Sequence, residues 1–180
     1  MHDPAIATLI RNRYEAVHEA KPATDYPVYL TIGLPEAPEA ALGFRNAGDG
    51  SLFLEAYLEQ PVETLLAERF GRPVPRARIV ELGDHASRRS TATVALWREA
   101  ATALEGQADV AVAVLTRPLR VMFERLGLHL LVLAPARVEV LGEAGKDWGR
   151  YYESDPMVCA GNIATCGIEL GRTGVGAKRA

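Results

Sequence analysis

Apolar and polar positions alternate along this chain in blocks that change period. Ile6, Leu9, Ile10, Tyr14 and Val17 recur at helical spacing until "KPATDYP" breaks the pattern, which predicts an amphipathic helix from about Pro4 to Ala20. "YPVYLTIGL" then reads as a strand, Pro35 to Glu39 as a turn and "AALGFRNA" as a second strand. The "NAGDG" cluster predicts a hairpin-type reversal into "SLFLEAYLE", giving three antiparallel strands in succession. Pro61 suits the first turn of a helix, and Val62, Leu65, Leu66 and Phe70 continue at helical spacing until Gly71 ends it.

"ARIVELG" predicts a fourth strand, and Ser90 or Thr91 is placed to cap the following helix, "TATVALWREAATALEG". "DVAVAVLT" reads as a strand buried on both faces, "RPLRVMFERLG" as a short helix, "LHLLVLAP" and "MVCAGNIA" as further strands, and "DWGRYYESDP" as a polar-aromatic connector. An antiparallel meander followed by strand–helix–strand crossovers defines an α/β fold: a mixed central sheet with helices on both faces. This is the element order of the GNAT acyltransferase fold, so one GNAT-like domain is expected over residues 1–167, with a flexible tail over 168–180.

Composition narrows the class. The 180 residues suffice for one domain, and 48% hydrophobic with 24% charged residues is the balance of a globular protein. A net charge of -3 argues against nucleic acid as a partner. The early charges of "MHDPAIATLIRNRYEAV" do not make a secretory leader, and the longest apolar run, "VAVAVL", is far short of the roughly 20 residues that span a bilayer, so no stable membrane insertion is expected. Cys159 and Cys166 have neither zinc nor redox spacing, which fits a reduced, cytoplasmic protein, and Cys159 reads better as a buried small hydrophobe than as a nucleophile. His2, His18 and His129 are scattered, so no metal is expected, and no nucleophile elbow, P-loop or dinucleotide fingerprint occurs.

Four blocks carry a resemblance: "ALGFRNAGDGSLFLEAYLEQPVE", "RARIVELGDHAS", "FERLGL…LAPA" and "DWGRYYESDPMVCAGNI". In this order they resemble the thermostable hemolysin family, whose corresponding blocks run "GxR…LFLExYL…P", "IVEVGNLA", "F.RLGL" and "WG.YY…P.V.AG". The likeness extends from about Arg11 to about Ile163. That family is similar to the GNAT superfamily and to the acyl-homoserine-lactone synthases. The resemblance implies a pocket where the sheet splays after the fourth strand, able to receive acyl-CoA, the arm of an acyl-carrier protein, or S-adenosylmethionine. This chain departs at Asp84-His85, where the family has "NL" and the lactone synthases carry an arginine.

Candidate chemistry gathers on "IVELGDHASRRS". In GNAT enzymes the CoA pyrophosphate rests on amides at the start of the helix after this strand; Gly83, Asp84, Arg88, Arg89 and Ser90 are the corresponding candidates, though "SRRSTAT" lacks glycine. Glu81 lies in an apolar strand, so its carboxylate needs a partner or a raised pKa; it is a candidate base or substrate anchor, against a plain buried ion pair with Arg45. His85 beside Asp84 suggests an acid–base pair, but neighbouring strand residues point to opposite faces, so the two need not touch. Glu55, with Tyr57 on its face at period two, is placed across the same crevice or else on the solvent side. Trp148, Tyr151 and Tyr152 form an aromatic wall or pack the last strand, and Arg45 and Tyr57 complete the expected substrate contacts. The function expected is transfer of a thioester-borne acyl group to a small amine, in specialised metabolism. A synthase using S-adenosylmethionine, a membrane-active hemolysin and a non-catalytic ligand-binding module are the alternatives.

Overall fold

The structure, a computed structural model, describes residues 3–23 and 26–172. Helix α1 (Pro4–His18) starts at Asp3, whose carboxylate accepts the Ala5 amide at 2.8 Å, and buries Leu9, Ile10 and Tyr14. Strands β1 (Val28–Leu34) and β2 (Ala37–Asn46) form an antiparallel hairpin. Helix α2 (Val62–Phe70) follows Pro61 and ends at Gly71, whose φ of 65° is left-handed. Then come β3 (Ile79–Ser87), α3 (Ser90–Leu104), β4 (Val110–Leu115), α4 (Arg117–Arg125), β5 (Leu131–Pro135), β6 (Met157–Asn162) and α5 (Ile163–Arg172). The sheet order is β1-β2-β3-β4-β6-β5, antiparallel except for the β3–β4 pair, which α3 connects as a crossover.

Strand periodicity divides the core between the two faces. Leu42, Val80, Leu82, Ala113, Leu115 and Cys159 pack under α3, α4 and α5, against Leu96, Phe123 and Leu170. Ile79, Val110, Val112, Val158 and Ala160 face the other way and meet Val62 and Leu66 of α2 and Leu54. Ala41 and Ala86 lie beneath Leu9, Ile10 and Tyr14 of α1. The mixed sheet with helices on both faces is therefore the one the pattern predicts.

Two segments differ from the sequence reading. "SLFLEAYLE" is no strand: residues 47–49 and 53–57 are 3-10 helix, and β3 pairs with β2 directly. The Glu55 carboxylate turns back to accept the Leu52 amide at 3.0 Å, and the Phe53 and Leu54 amides bond to Glu81 instead of to a strand partner. Leu52, Leu54 and Tyr57 are buried, so spacing that looks alternating also serves a tight helical turn. At the other end, residues 168–172 belong to α5, which buries Leu170; the rest of the expected tail, 173–180, lies outside the described residues.

Candidate active site

The parallel pairing of β3 with β4 runs only from Ile79–Val110 to Leu82–Ala113, although β3 continues to Ser87 and β4 to Leu115. Beyond Leu82 the strands part. Near the end of β4 two carbonyls are taken by side chains: Leu115 accepts from Arg120 at 2.8 Å and Val114 from the Tyr151 hydroxyl at 3.5 Å. A cavity of about 570 Å³ opens in this wedge, lined by residues 81–90 of β3 and the start of α3, by residues 113–116, and by Tyr14, Tyr26, Trp97, Trp148 and Tyr151. Cavities of this size hold small-molecule ligands.

A bulge aims the side chains. Ala41 opposes Ala86 and Gly43 opposes Gly83, so β3 carries one residue more than β2 between these pairs. Asp84 takes the left-handed conformation, φ 49°. The side-chain parity flips across it: Asp84 turns toward β1 and accepts the Tyr29 hydroxyl at 2.6 Å, whereas His85 turns toward Trp97 of α3, ring centroids 6.0 Å apart. The aspartate therefore does not orient the histidine, as strand geometry predicts. Burial, with the Arg13 charge adding to it, pulls His85 down to about 4, which keeps the ring neutral near pH 7.

Glu81 sits at the inner end of the wedge, 1% exposed. Its Oε1 accepts the Leu54 amide at 2.8 Å and its Oε2 the Phe53 amide at 3.1 Å, and Arg45, opposite it in register, brings Nε within 3.6 Å of Oε2. Burial raises the carboxyl above its ordinary value; the two amides and Arg45 oppose that shift without cancelling it. Glu81 is thus both half of a buried ion pair and a cavity wall. The Arg45 guanidinium lies 4.6 Å from the Tyr26 ring centroid, and Tyr26 crosses the sheet over Gly43 and Gly83. A Cβ at Gly43 would come within 2.6 Å of Tyr26, and one at Gly83 would overlap the Tyr26 hydroxyl. Gly83 therefore makes room for a tyrosine, and it also lines the cavity.

Glu55 is not across the crevice. Arg76 holds it with Nη1–Oε1 at 2.7 Å and Nη2–Oε2 at 2.9 Å, and Arg76 also reaches Glu63, Ala47 O and Gly50 O. These bonds, Arg76 foremost, bring the Glu55 carboxyl to about 2, which removes it as a base. Tyr57 and Tyr152 share a hydroxyl–hydroxyl bond of 2.5 Å behind the wall, outside the cavity lining, while Trp148 and Tyr151 do line it. Neither Ser90 nor Thr91 caps α3: Arg89 is the N-cap residue, without a side-chain cap. Arg88, Arg89 and Ser90 line the mouth, with Arg89 paired to Glu39 at 2.5 Å and Arg88 Nε bonded to Pro38 O at 3.4 Å. Asp84, an expected cofactor contact, lines the cavity and accepts the Tyr29 hydroxyl.

Burial pushes the free Cys159 and Cys166 thiols up to about 11, so they behave as small apolar groups. Among the described residues no group of three His, Cys, Asp or Glu is placed to hold a metal ion, and no helix is long and apolar enough to cross a membrane. Arg13, Tyr14, Tyr26 and Trp97 line the cavity and Tyr29 holds Asp84, and sequence reasoning missed all of them. The facing glycines 43 and 83, which only a known strand pairing brings together, were the one signal for Tyr26.

The fold is the acyltransferase-like one shared by acyl-homoserine-lactone synthases and an N-acyl amino acid synthase. FeeM, an N-acyl amino acid synthase from uncultured soil microbes, superposes with TM-score 0.60 at 14% identity, covering 92% of each chain. TofI, solved in a ternary complex with an inhibitor and MTA, gives TM-score 0.57 at 19% identity over 94% of each chain. BjaI, a CoA-dependent acyl-homoserine lactone synthase solved with MTA, gives 0.61 at 16% identity over 96% of this chain and 83% of its own. The thermostable hemolysin family profile matches residues 2–166, and the chain belongs to that family. A search of curated proteins gives no significant match.

Proposed function

We propose that this protein transfers an acyl group from a thioester to a small amine or amino-acid-like acceptor. The observation that carries the reading is the wedge between β3 and β4, which sets a buried carboxylate, Glu81, at one end of a cavity and the uncapped start of α3 at its mouth. The acceptor nitrogen attacks the thioester carbonyl, the C–N bond forms, the C–S bond breaks and the thiol leaves. Glu81, its proton affinity raised by burial, takes the proton that the amine loses. Amides on the parted edges of β3 and β4 stabilise the oxyanion, and the first turn of α3 with Arg88 supports donor phosphates. The donor is acyl-CoA or an acyl-carrier protein; a cytoplasmic setting and a place in specialised biosynthesis fit such donors.

A second acceptor, S-adenosylmethionine, is favoured by the aromatic wall of Tyr14, Tyr151 and Trp148, which shares the cavity with the Asp84 carboxylate. Aromatic faces and a carboxylate suit a sulfonium or ammonium group. BjaI has been solved with SAM and isopentyl-CoA together, 14% identical to this chain.

Thermal shift with acyl-CoAs, free CoA and S-adenosylmethionine, followed by mass spectrometry of acceptor mixtures, tests the reading. A ligand at 100 times its Kd raises the Tm by roughly 5–10 °C in a domain of this size. Stabilisation by acyl-CoA with thiol release supports acyl transfer, and stabilisation without turnover supports a non-catalytic binding module. No shift together with dye release from liposomes overturns the reading in favour of a membrane-active protein.

A further inference from the structure

Two polar atoms in the wedge are buried and have no hydrogen-bond partner among the described residues: His85 Nε2 and Trp97 Nε1. Leaving such a group unpaired forfeits its hydration with nothing in return, and folded proteins satisfy nearly all of them. Here the two fall on adjacent elements, line one cavity and carry rings 6.0 Å apart. The fold arranges this juxtaposition. The imidazole faces α3 only because the bulge at Asp84 flips the strand parity, and Asp84 holds a left-handed conformation, uncommon without glycine, to make the bulge. The indole is fixed by an edge-on contact with Phe123, centroids 4.8 Å apart.

Their position defines what they meet. Trp97, Leu82, Ala113 and Leu115 border both the main cavity and a second one of about 50 Å³ between the sheet and α3, α4 and α5. The second chamber has no charged residue in its lining; Leu104, Phe123, Leu128 and Leu170 form its walls. A thioester reacting beside Glu81 with its alkyl tail directed into this chamber passes the indole and the imidazole at the neck.

We infer that His85 and Trp97 recognise an oxygen substituent on the acyl chain, so that the donor is a hydroxy- or oxo-acyl thioester in preference to a plain one; the inference rests on the acyl-transfer reading. The indole N–H can only donate, and the neutral imidazole nitrogen accepts in one tautomer and donates in the other. A hydroxyl accepts from Trp97 and donates to His85, whereas a keto oxygen accepts from both. An unsubstituted methylene leaves both nitrogens unpaired and gains nothing from them. A carboxylate is disfavoured at the neck because neither nitrogen carries a positive charge near pH 7.

Isothermal titration of decanoyl-CoA, 3-hydroxydecanoyl-CoA and 3-oxodecanoyl-CoA into the parental protein, H85F and W97F tests the pair. The parental protein binds at least one oxygenated chain roughly 10-fold more tightly than decanoyl-CoA, the factor expected of a well-made hydrogen bond in a dry site. In each variant that keeps its cooperative melt, the ratio of oxygenated to plain affinity falls toward one. A parental ratio near one for both oxygenated chains, or a ratio that survives in either folded variant, overturns the recognition pair while leaving acyl transfer standing. Failure of all three acyl chains to bind the parental protein, offered both as CoA thioesters and on an acyl-carrier protein, removes both readings. The parental ratio is decisive even if one substitution prevents folding.

Discussion

The Glu55 and Glu81 carboxylates lie on the same side of the sheet and fare oppositely. Glu55 is wrapped by Arg76 and two backbone amides, stays ionised to about pH 2 and stands outside the lining of the wedge cavity. Glu81 has two amides and a more distant arginine, is raised by burial and faces open volume. Arg76 belongs to the first region alone: it binds two acids and two carbonyls and thereby fixes the path of residues 47–57 against α2. The wedge beyond Leu82 instead leaves His85 Nε2 and Trp97 Nε1 without a hydrogen-bond partner among the described residues. The difference shows how to separate structural groups from candidates for chemistry: groups whose bonds are complete hold the fold, and a buried, incompletely bonded group that also faces a cavity is a candidate to meet a ligand.

Paired substitutions break the comparison most sharply. Glu81→Gln lowers acyl transfer by roughly 100-fold or more, the lower range for removing a general base, whereas Glu55→Gln leaves it within about 2-fold; release of free thiol from acyl-CoA measures both. Parental turnover in the first variant removes Glu81 from proton transfer. Arg76→Met strikes the opposite region, costing about 2–3 kcal/mol and lowering the Tm by roughly 5–10 °C, because Glu55 loses its main partner. It also flattens the acid limb of stability: the Glu55 contribution is complete above about pH 4.5 and lost as pH falls toward about 2, the carboxyl being depressed in the folded state. An unchanged acid limb in urea titrations means that Arg76 does not set this carboxylate.

Gly83→Ala forces Tyr26 off the sheet, with an expected loss of about 1–3 kcal/mol and weaker ligand binding in the wedge. Parental stability and affinity contradict that account. His85 supplies a pH signature of its own. Its folded value near 4 lies below the ordinary 6.5, so the unfolded chain binds the proton first; stability is complete above about pH 6.5 and falls as pH drops toward 4. The loss approaches roughly 2–3 kcal/mol, and His85→Phe removes that slope if His85 causes it. The smallest effect belongs to Arg89→Ala: the exposed pair with Glu39 adds little to stability, so the Tm barely moves. A KM for acyl-CoA raised severalfold assigns Arg89 to donor binding; an unchanged KM leaves it a surface pair.

Much of the fold was legible because period and punctuation are local properties. The α1 stripe, the Pro61 and Gly71 boundaries, the apolar run of β4 and the crossover through α3 all follow from side-chain spacing and terminal residues. Glu81 also stood out, since a carboxylate in an apolar strand must be compensated. "SLFLEAYLE" was misread because its compensation comes from Arg76 and Glu81, 21 and more residues further on. The tail boundary was misplaced because Leu170 gains its burial from α3 and the sheet, not from its neighbours in sequence.

The sequence by itself determined the class of fold, the helix and strand order from Pro61 to the last strand and the presence of a buried acid on β3. Tertiary structure decided what each polar group became. Strand pairing set Arg45 opposite Glu81 and Gly43 opposite Gly83, and the bulge at Asp84 sent one side chain to Tyr29 and the next to Trp97. The end of the β3–β4 ladder at Leu82 opened the cavity. Register, parity and the ending of a ladder depend on contacts between residues far apart in the chain, and hydrophobic period specifies which face a residue takes only until a bulge shifts it.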